Sequence, residues 1–170
     1  KATQEVLERL LEKDIPLVVD AGALAMRKSW EAKGPIIITP HPGEFSRMTG
    51  YSTAYINENR NELSLAYAKE YRVIVVLKGK DTVIAFPDGS IYHNPTGNTS
   101  LAKGGSGDVL TGIMTSFLAT HKKVEHAVVN AVYVHGYCAD LWAEEFSEAS
   151  MAASDFAELL PKAMKRLEKN

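Results

Sequence analysis

The chain has 170 residues, enough for one domain with a substantial core, and carries a formal net charge of −2. Its 45% hydrophobic and 24% charged content is that of a soluble globular protein, and the lack of a dense basic run argues against a nucleic-acid surface. Cys138 is alone, which excludes a disulfide framework and a cysteine metal cluster, and no stretch reaches the roughly 18 uncharged apolar residues of a membrane span.

Val6, Leu7, Leu10 and Leu11 share one helical face at the start of the chain. A helix beginning at the first residue suggests a natural polypeptide that starts earlier, and with no cleavable leader the cytoplasm is the default expectation. Pro16-Leu17-Val18-Val19-Asp20 follows, a short valine-rich run without alternation that predicts a parallel strand buried on both faces and ending at Asp20. A helix is expected from Ala21-Gly22-Ala23-Leu24 through about Ala32, broken by Gly34-Pro35. Ile36-Ile37-Ile38-Thr39 reads as a second buried strand. Pro40-His41-Pro42-Gly43-Glu44 closes it, with Pro42 suited to the first turn of a helix. One longer helix is expected over Ala54 to Tyr71, then a third strand, Val73 to Leu77, ending at Lys78-Gly79.

Three strand–helix alternations predict an open, doubly wound, three-layer α/β sheet, mostly parallel. Thr82 to Phe86, Pro87-Asp88-Gly89 and Ser90 to His93 then read as an antiparallel hairpin at one sheet edge. The remainder is helical, over about Gly107–Ala119, Val124–Glu145 and Ser154–Lys169, and the whole is expected to form one domain. Cys138 reads as a core residue within the second of these helices.

Lys103-Gly104-Gly105-Ser106-Gly107-Asp108 leads directly into the first of them. Glycines let backbone N–H groups point into one concavity at a helix N-terminus, a place suited to a phosphate or a developing anion. Asp108 conflicts with an anion site. It reads either as a helix cap or as a base beside a reacting hydroxyl.

In open α/β sheets, ligands bind beyond the carboxyl ends of the strands. Asp20, Thr39-Pro40-His41 and Lys78-Gly79-Lys80-Asp81-Thr82 occupy those ends, and the glycine-rich loop is expected on the same rim. Lys78 and Lys80 read as phosphate-binding cations or as solvated loop lysines. His41 reads as a ligand contact or a turn histidine bonded to backbone. Glu44 reads as a first-turn carboxylate complementing the helix dipole or as a group supporting a site residue, the first favoured, and Asp20 as a site residue or a helix cap. His93, His121, His126 and His135 show no metal-ligand spacing.

Three stretches together resemble the ADP- or ATP-dependent NAD(P)H-hydrate dehydratases, carbohydrate-kinase-like enzymes of the ribokinase-like superfamily. They are Thr39-Pro40-His41-Pro42-Gly43-Glu44, then Leu77 to Thr82, then Gly97-Asn98 through Gly104-Gly105-Ser106-Gly107-Asp108-Val109-Leu110-Thr111-Gly112. Val19 to Leu24 and Ala131 to Gly136 add weaker support. The Gly-x-Gly-Asp element alone marks the wider superfamily, whereas the His-Pro-Gly-Glu element in order with the others is more specific.

The resemblance implies a ribokinase-like fold and the ADP- or ATP-dependent dehydration of the S form of hydrated NADH or NADPH. It implies Asp108 as the base that deprotonates the ring hydroxyl and contacts the substrate. Gly105, Ser106 and Gly107 would stabilise the transferring phosphoryl, and Gly107 would touch the nucleotide. His41 would bind the hydrated cofactor, while Lys78, Gly79, Lys80, Asp81 and Thr82 would hold the nucleotide. Magnesium is expected on the phosphates without a dedicated ligand set, and a homo-oligomer is expected.

Two departures stand out. Thr99-Ser100-Leu101-Ala102-Lys103 replaces a Pro-Gly-Met-Ala-Thr-like run, so Lys103 adds a cation beside the anion site, read as acting on nucleotide preference or as facing solvent. The resemblance also implies a long segment before Lys1, so the chain is expected to be the C-terminal part of a single ribokinase-like domain whose N-terminal part is its partner. The rival readings are a ribokinase-like kinase of a hydroxymethyl-pyrimidine, thiazole or sugar alcohol, and a noncatalytic nucleotide-binding module.

Overall fold

Short runs of branched aliphatic residues set the frame of the protein, whose computed structural model describes residues 2–26 and 30–168. The chain divides into two units, one up to His93 and one from Asn94. Each is described by itself.

In the first unit the strands are β1 (Leu17–Val19), β2 (Ile36–Ile38), β3 (Ile74–Leu77), β4 (Val83–Ala85) and β5 (Ile91–His93), in sheet order β1-β2-β3-β4-β5. β1, β2 and β3 run parallel, with Val18 opposite Ile37 and Ile38 opposite Val75. β4 and β5 return antiparallel, Val76 facing Ile84 and Ile84 facing Tyr92. This is the mostly parallel sheet with an edge hairpin that the apolar runs predict. Every residue of β2 and β3 is buried, as expected for strands covered on both faces.

Strand side chains alternate between faces. On one face Val19, Ile36, Ile38, Val75, Leu77 and Ala85 join a single apolar cluster with helix residues. Those come from α1 (Ala2–Leu11), α2 (Pro42–Thr49), α3 (Thr53–Glu58) and α4 (Arg60–Tyr71), which contribute Leu7, Leu11, Phe45, Ile56 and Ala68. α2 stops at Gly50, whose φ of 80° is the left-handed backbone a glycine adopts without a Cβ penalty.

Two helices differ from expectation. The helix expected over Ala54–Tyr71 is split into α3 and α4 at Asn59, whose amide donates to the Tyr55 carbonyl and whose backbone leaves helical values. A short polar side chain that bonds nearby backbone competes with the helix ladder. The helix expected from Ala21 is a 3₁₀ segment, Ala21–Met26, entered through Ala21 at φ 53°; residues 27–29 lie outside the described residues, and Trp30 to Ala32 is not helical.

The second unit is helical. It comprises α5 (Ser106–Thr120), α6 (Val124–Glu145) and α7 (Phe156–Leu167), with 3₁₀ turns at Thr99–Leu101, Glu148–Ser150 and Ala153–Asp155. The last expected helix begins with one of these turns, and its expected end at Lys169 lies outside the described residues. Val134, Cys138, Ala139, Leu141, Met151, Phe156, Leu159 and Ala163 form its core. Burial pushes the Cys138 thiol up to about 12, in keeping with a core role. Among the described residues, no helix is long and apolar enough to cross a membrane.

Candidate active site

Parallel pairing brings the carboxyl ends of β1, β2 and β3 side by side, and the residues after each strand meet there. Backbone bonds continue past the strands, from Thr39 N–H to the Val19 carbonyl at 3.2 Å and from Lys78 N–H to the Pro40 carbonyl at 2.9 Å. Lys78 Nζ donates to Asp20 Oδ1 at 2.9 Å and lies 4.0 Å from Glu44 Oε2. All three side chains are largely buried. Asp20 is therefore the ion-pair partner of Lys78, and Lys78 is no solvated loop lysine.

His41 caps α2. Its Nδ1 accepts from Gly43 N–H at 3.0 Å and Glu44 N–H at 3.3 Å, while Glu44 Oε2 accepts from His41 N–H at 2.8 Å. This reciprocal pair is a capping box with histidine in place of the usual serine or threonine. Because Nδ1 accepts, Nε2 carries a hydrogen, and the side chain is half exposed. Nε2 itself lies 3.5 Å from Glu44 Oε2, so the carboxylate flanks the ring at this nitrogen as well.

Arg60, which sequence reasoning passed over, holds the turn after β3. Its Nη2 donates to the carbonyls of Leu77 at 2.6 Å, Lys78 at 3.2 Å and Asp81 at 3.3 Å. A Cβ on Gly79 would come within 2.9 Å of the same nitrogen, so a side chain there would displace the guanidinium. Burial pulls the Arg60 guanidinium below its usual value, opposed by the charge of Asp81. Thr82 Oγ1 donates to the Gly79 carbonyl at 3.1 Å, and Lys80 and Asp81 are exposed. Lys78 thus joins the cluster with Asp20, His41 and Glu44, whereas the side chains of Lys80 and Asp81 stand apart from it.

In the second unit, Gly105 is the N-cap of α5 with φ 87°, and it supplies no side-chain cap. Ser106, Gly107 and Asp108 are the first three helical residues, so the cap reading of Asp108 is corrected: the cap is Gly105. The first-turn N–H groups of a helix have no intrahelical acceptor. Asp108 is exposed, and its carboxylate makes no hydrogen bond or ion pair among the described residues. Ser106 is buried, with its hydroxyl 3.2 Å from His135 Nε2.

α6 backs the approach to this loop. Thr96 Oγ1 donates to the Tyr133 carbonyl at 2.8 Å, and a Cβ on Gly136 would stand 2.3 Å from that oxygen. Asp140 accepts from Gly97 N–H at 3.0 Å and from the Asn98 amide at 3.1 Å. Tyr133, Gly136 and Asp140 recur at helical spacing, which places them on one face. The Thr99 hydroxyl donates to Glu148, and Lys103 Nζ donates to the Ala149 carbonyl. Lys103 is therefore held by the backbone beyond α6 while remaining exposed. No group of three or more histidine, cysteine, aspartate or glutamate side chains that could hold a metal occurs among the described residues.

A mostly parallel sheet with loaded strand ends, followed by a glycine-capped helix bearing an early aspartate, is the layout of a ribokinase-like protein. A ribokinase-like superfamily protein from Enterococcus faecalis V583 superimposes with a TM-score of 0.81 at 26% identity, over 96% of this chain and 58% of that one. The family model described as NAD(P)H-hydrate dehydratase matches residues 1–162. The chain belongs to the NAD(P)H-hydrate dehydratase family. The ADP-dependent (S)-NAD(P)H-hydrate dehydratase of Bacillus subtilis (strain 168) is 46% identical over 168 residues, which are 99% of this chain and 61% of that relative. The crystal structure of the ADP/ATP-dependent enzyme from Bacillus subtilis, co-crystallised with ATP and Mg2+, superimposes with a TM-score of 0.93 at 47% identity, over 97% of this chain and 60% of the other. The chain thus spans about three-fifths of the length of these relatives.

Proposed function

We propose that the chain supports the dehydration of the S form of hydrated NADH or NADPH, driven by ADP or ATP, and so restores the usable cofactor. The single observation that carries the reading is Asp108: an exposed carboxylate with no partner among the described residues, in the first turn of a helix whose N-cap offers no side chain. Backbone donors and a general base lie within four consecutive residues.

Hydroxide is a poor leaving group, so the ring hydroxyl must be converted before it can depart. Asp108 takes the hydroxyl proton, and the oxygen attacks the terminal phosphorus of the nucleotide, releasing AMP from ADP or ADP from ATP. Backbone N–H groups of Gly105, Ser106 and Gly107 stabilise the transferring phosphoryl, with Gly107 against the nucleotide. The phosphate ester then leaves as inorganic phosphate while the adjacent ring carbon loses a proton, forming the double bond. His41 binds the hydrated cofactor through its half-exposed ring, which Glu44 steadies. Lys78, Gly79, Lys80, Asp81 and Thr82 receive the nucleotide, with Lys78 held in place by Asp20. Magnesium bound with the nucleotide would neutralise phosphate charge.

The chain is taken to act as the C-terminal part of one ribokinase-like domain, together with the remaining length its relatives carry. Recovery of the absorbance of hydrated NADH, followed with ADP and then with ATP in the full-length protein, tests the reading. Recovery with release of inorganic phosphate supports it. Accumulation of a stable phosphorylated product identifies a small-molecule kinase instead.

A further inference from the structure

The first turn of α5 has no side-chain cap. Gly105 contributes no side chain, and the bond from Ser106 N–H to the Lys103 carbonyl is long at 3.4 Å. What holds the turn is a ring from another helix. His135, on α6, is 6% exposed, and its Nε2 lies 3.0 Å from the Ser106 carbonyl oxygen and 3.2 Å from the Ser106 hydroxyl. A carbonyl oxygen only accepts, so Nε2 carries the hydrogen. The ring lies flat on Phe156, with centroids 4.9 Å apart and planes within 2°. It cannot tilt without losing that stack.

Ser106 sits directly after the left-handed Gly105 and directly before Gly107 and Asp108. A rotation at Ser106 would re-aim the following N–H groups and swing the Asp108 carboxylate. We propose that His135 is a positioning residue for the glycine-rich turn: by gripping the carbonyl and hydroxyl of Ser106 together, it orients the phosphoryl-binding N–H groups and the base. Its function is tied to the phosphoryl transfer proposed above. His135 touches no substrate in this role, and it acts through Ser106.

Two substitutions separate orientation from simple packing. His135→Leu keeps apolar volume against Phe156 and removes the donor, whereas His135→Gln keeps an N–H at similar reach. In the full-length protein, His135→Leu is expected to lower kcat by about tenfold to a hundredfold while KM changes by less than about threefold. His135→Gln is expected to recover most of that loss. A second readout is independent of turnover. The Val109 N–H donates to the Gly105 carbonyl at 3.1 Å, closing the first turn, and its exchange with solvent should quicken by about tenfold in the leucine variant and not in the glutamine variant.

Wild-type kcat and wild-type Val109 exchange in His135→Leu would overturn the proposal, as would equal impairment in the leucine and glutamine variants. If wild-type protein fails to turn over hydrated NADH, the reaction proposed above falls, and Val109 exchange alone decides the grip of His135 on the loop. If His135→Leu does not fold, His135→Asn replaces it, because its shorter amide stops short of Ser106. Loss in the asparagine variant with recovery in the glutamine variant then supports the proposal, and equal behaviour overturns it.

Discussion

Lys78 Nζ and Asp20 Oδ1 are 2.9 Å apart, joining the carboxyl ends of the first and third strands across 58 residues of sequence. Both groups are largely withdrawn from water. Removing one charge therefore leaves the other poorly compensated. Asp20→Asn should destabilise the protein by about 1–3 kcal/mol, and adding Lys78→Met should cost less than the sum of the two single changes. Denaturant melts of the double-mutant cycle check this. Strict additivity would show that the pair contributes nothing.

Arg60 is the tie for the turn between β3 and β4. Three carbonyl oxygens lie within hydrogen-bond distance of one guanidinium nitrogen, and the shorter lysine side chain places its nitrogen away from that point. Arg60→Lys should lower stability by about 1–2 kcal/mol and quicken amide exchange in the Lys78–Thr82 segment. Exchange measured by mass spectrometry or NMR reads the second effect. Unchanged protection there would mean that the turn is held by its own bonds.

Cys138 supplies a prediction with a definite pH sign. Burial raises its thiol from the usual range to about 12 in the folded protein. The folded state thus holds its proton more tightly than the unfolded chain, whose thiols ionise near 8.5. The associated stability is fully present below about pH 8.5 and is lost progressively as pH rises toward 12. An aromatic disulfide reagent at pH 8 should leave Cys138 unmodified in native protein and label it rapidly in denaturant. Rapid native labelling would contradict the burial.

The features legible in the sequence are those written in local pattern. Ile36–Ile38 and Ile74–Leu77 are short β-branched runs bounded by turn residues, and both are buried strands. Pro87-Asp88-Gly89 marks the hairpin between β4 and β5, where Asp88 accepts from the Ser90 hydroxyl and N–H. What escaped depends on partners distant in sequence or on one side chain turning inward. Nothing near Arg60 announces that it will reach carbonyls 17 to 21 positions on. His135 and Asp140 belong to an apolar helix and read as ordinary members of it, yet they grip Ser106 and Gly97-Asn98. The spacing of Tyr133, Gly136 and Asp140 was the available signal for that face. The break at Asn59 had only its amide as a cue, in a segment otherwise well suited to one helix.

Asp108 carries the account of function. As the third residue of α5 it also complements the helix dipole, so neutralising it should cost only about 0.3–1 kcal/mol of stability. Its loss as a base should be far larger in rate. The decisive measurement is turnover of hydrated NADH with saturating ADP or ATP by full-length wild-type and Asp108→Asn proteins, alongside nucleotide binding by calorimetry. A fall in kcat of about a hundredfold or more, with nucleotide affinity and melting temperature nearly unchanged, is the predicted result. Wild-type turnover by Asp108→Asn would contradict the assignment of Asp108 as the base.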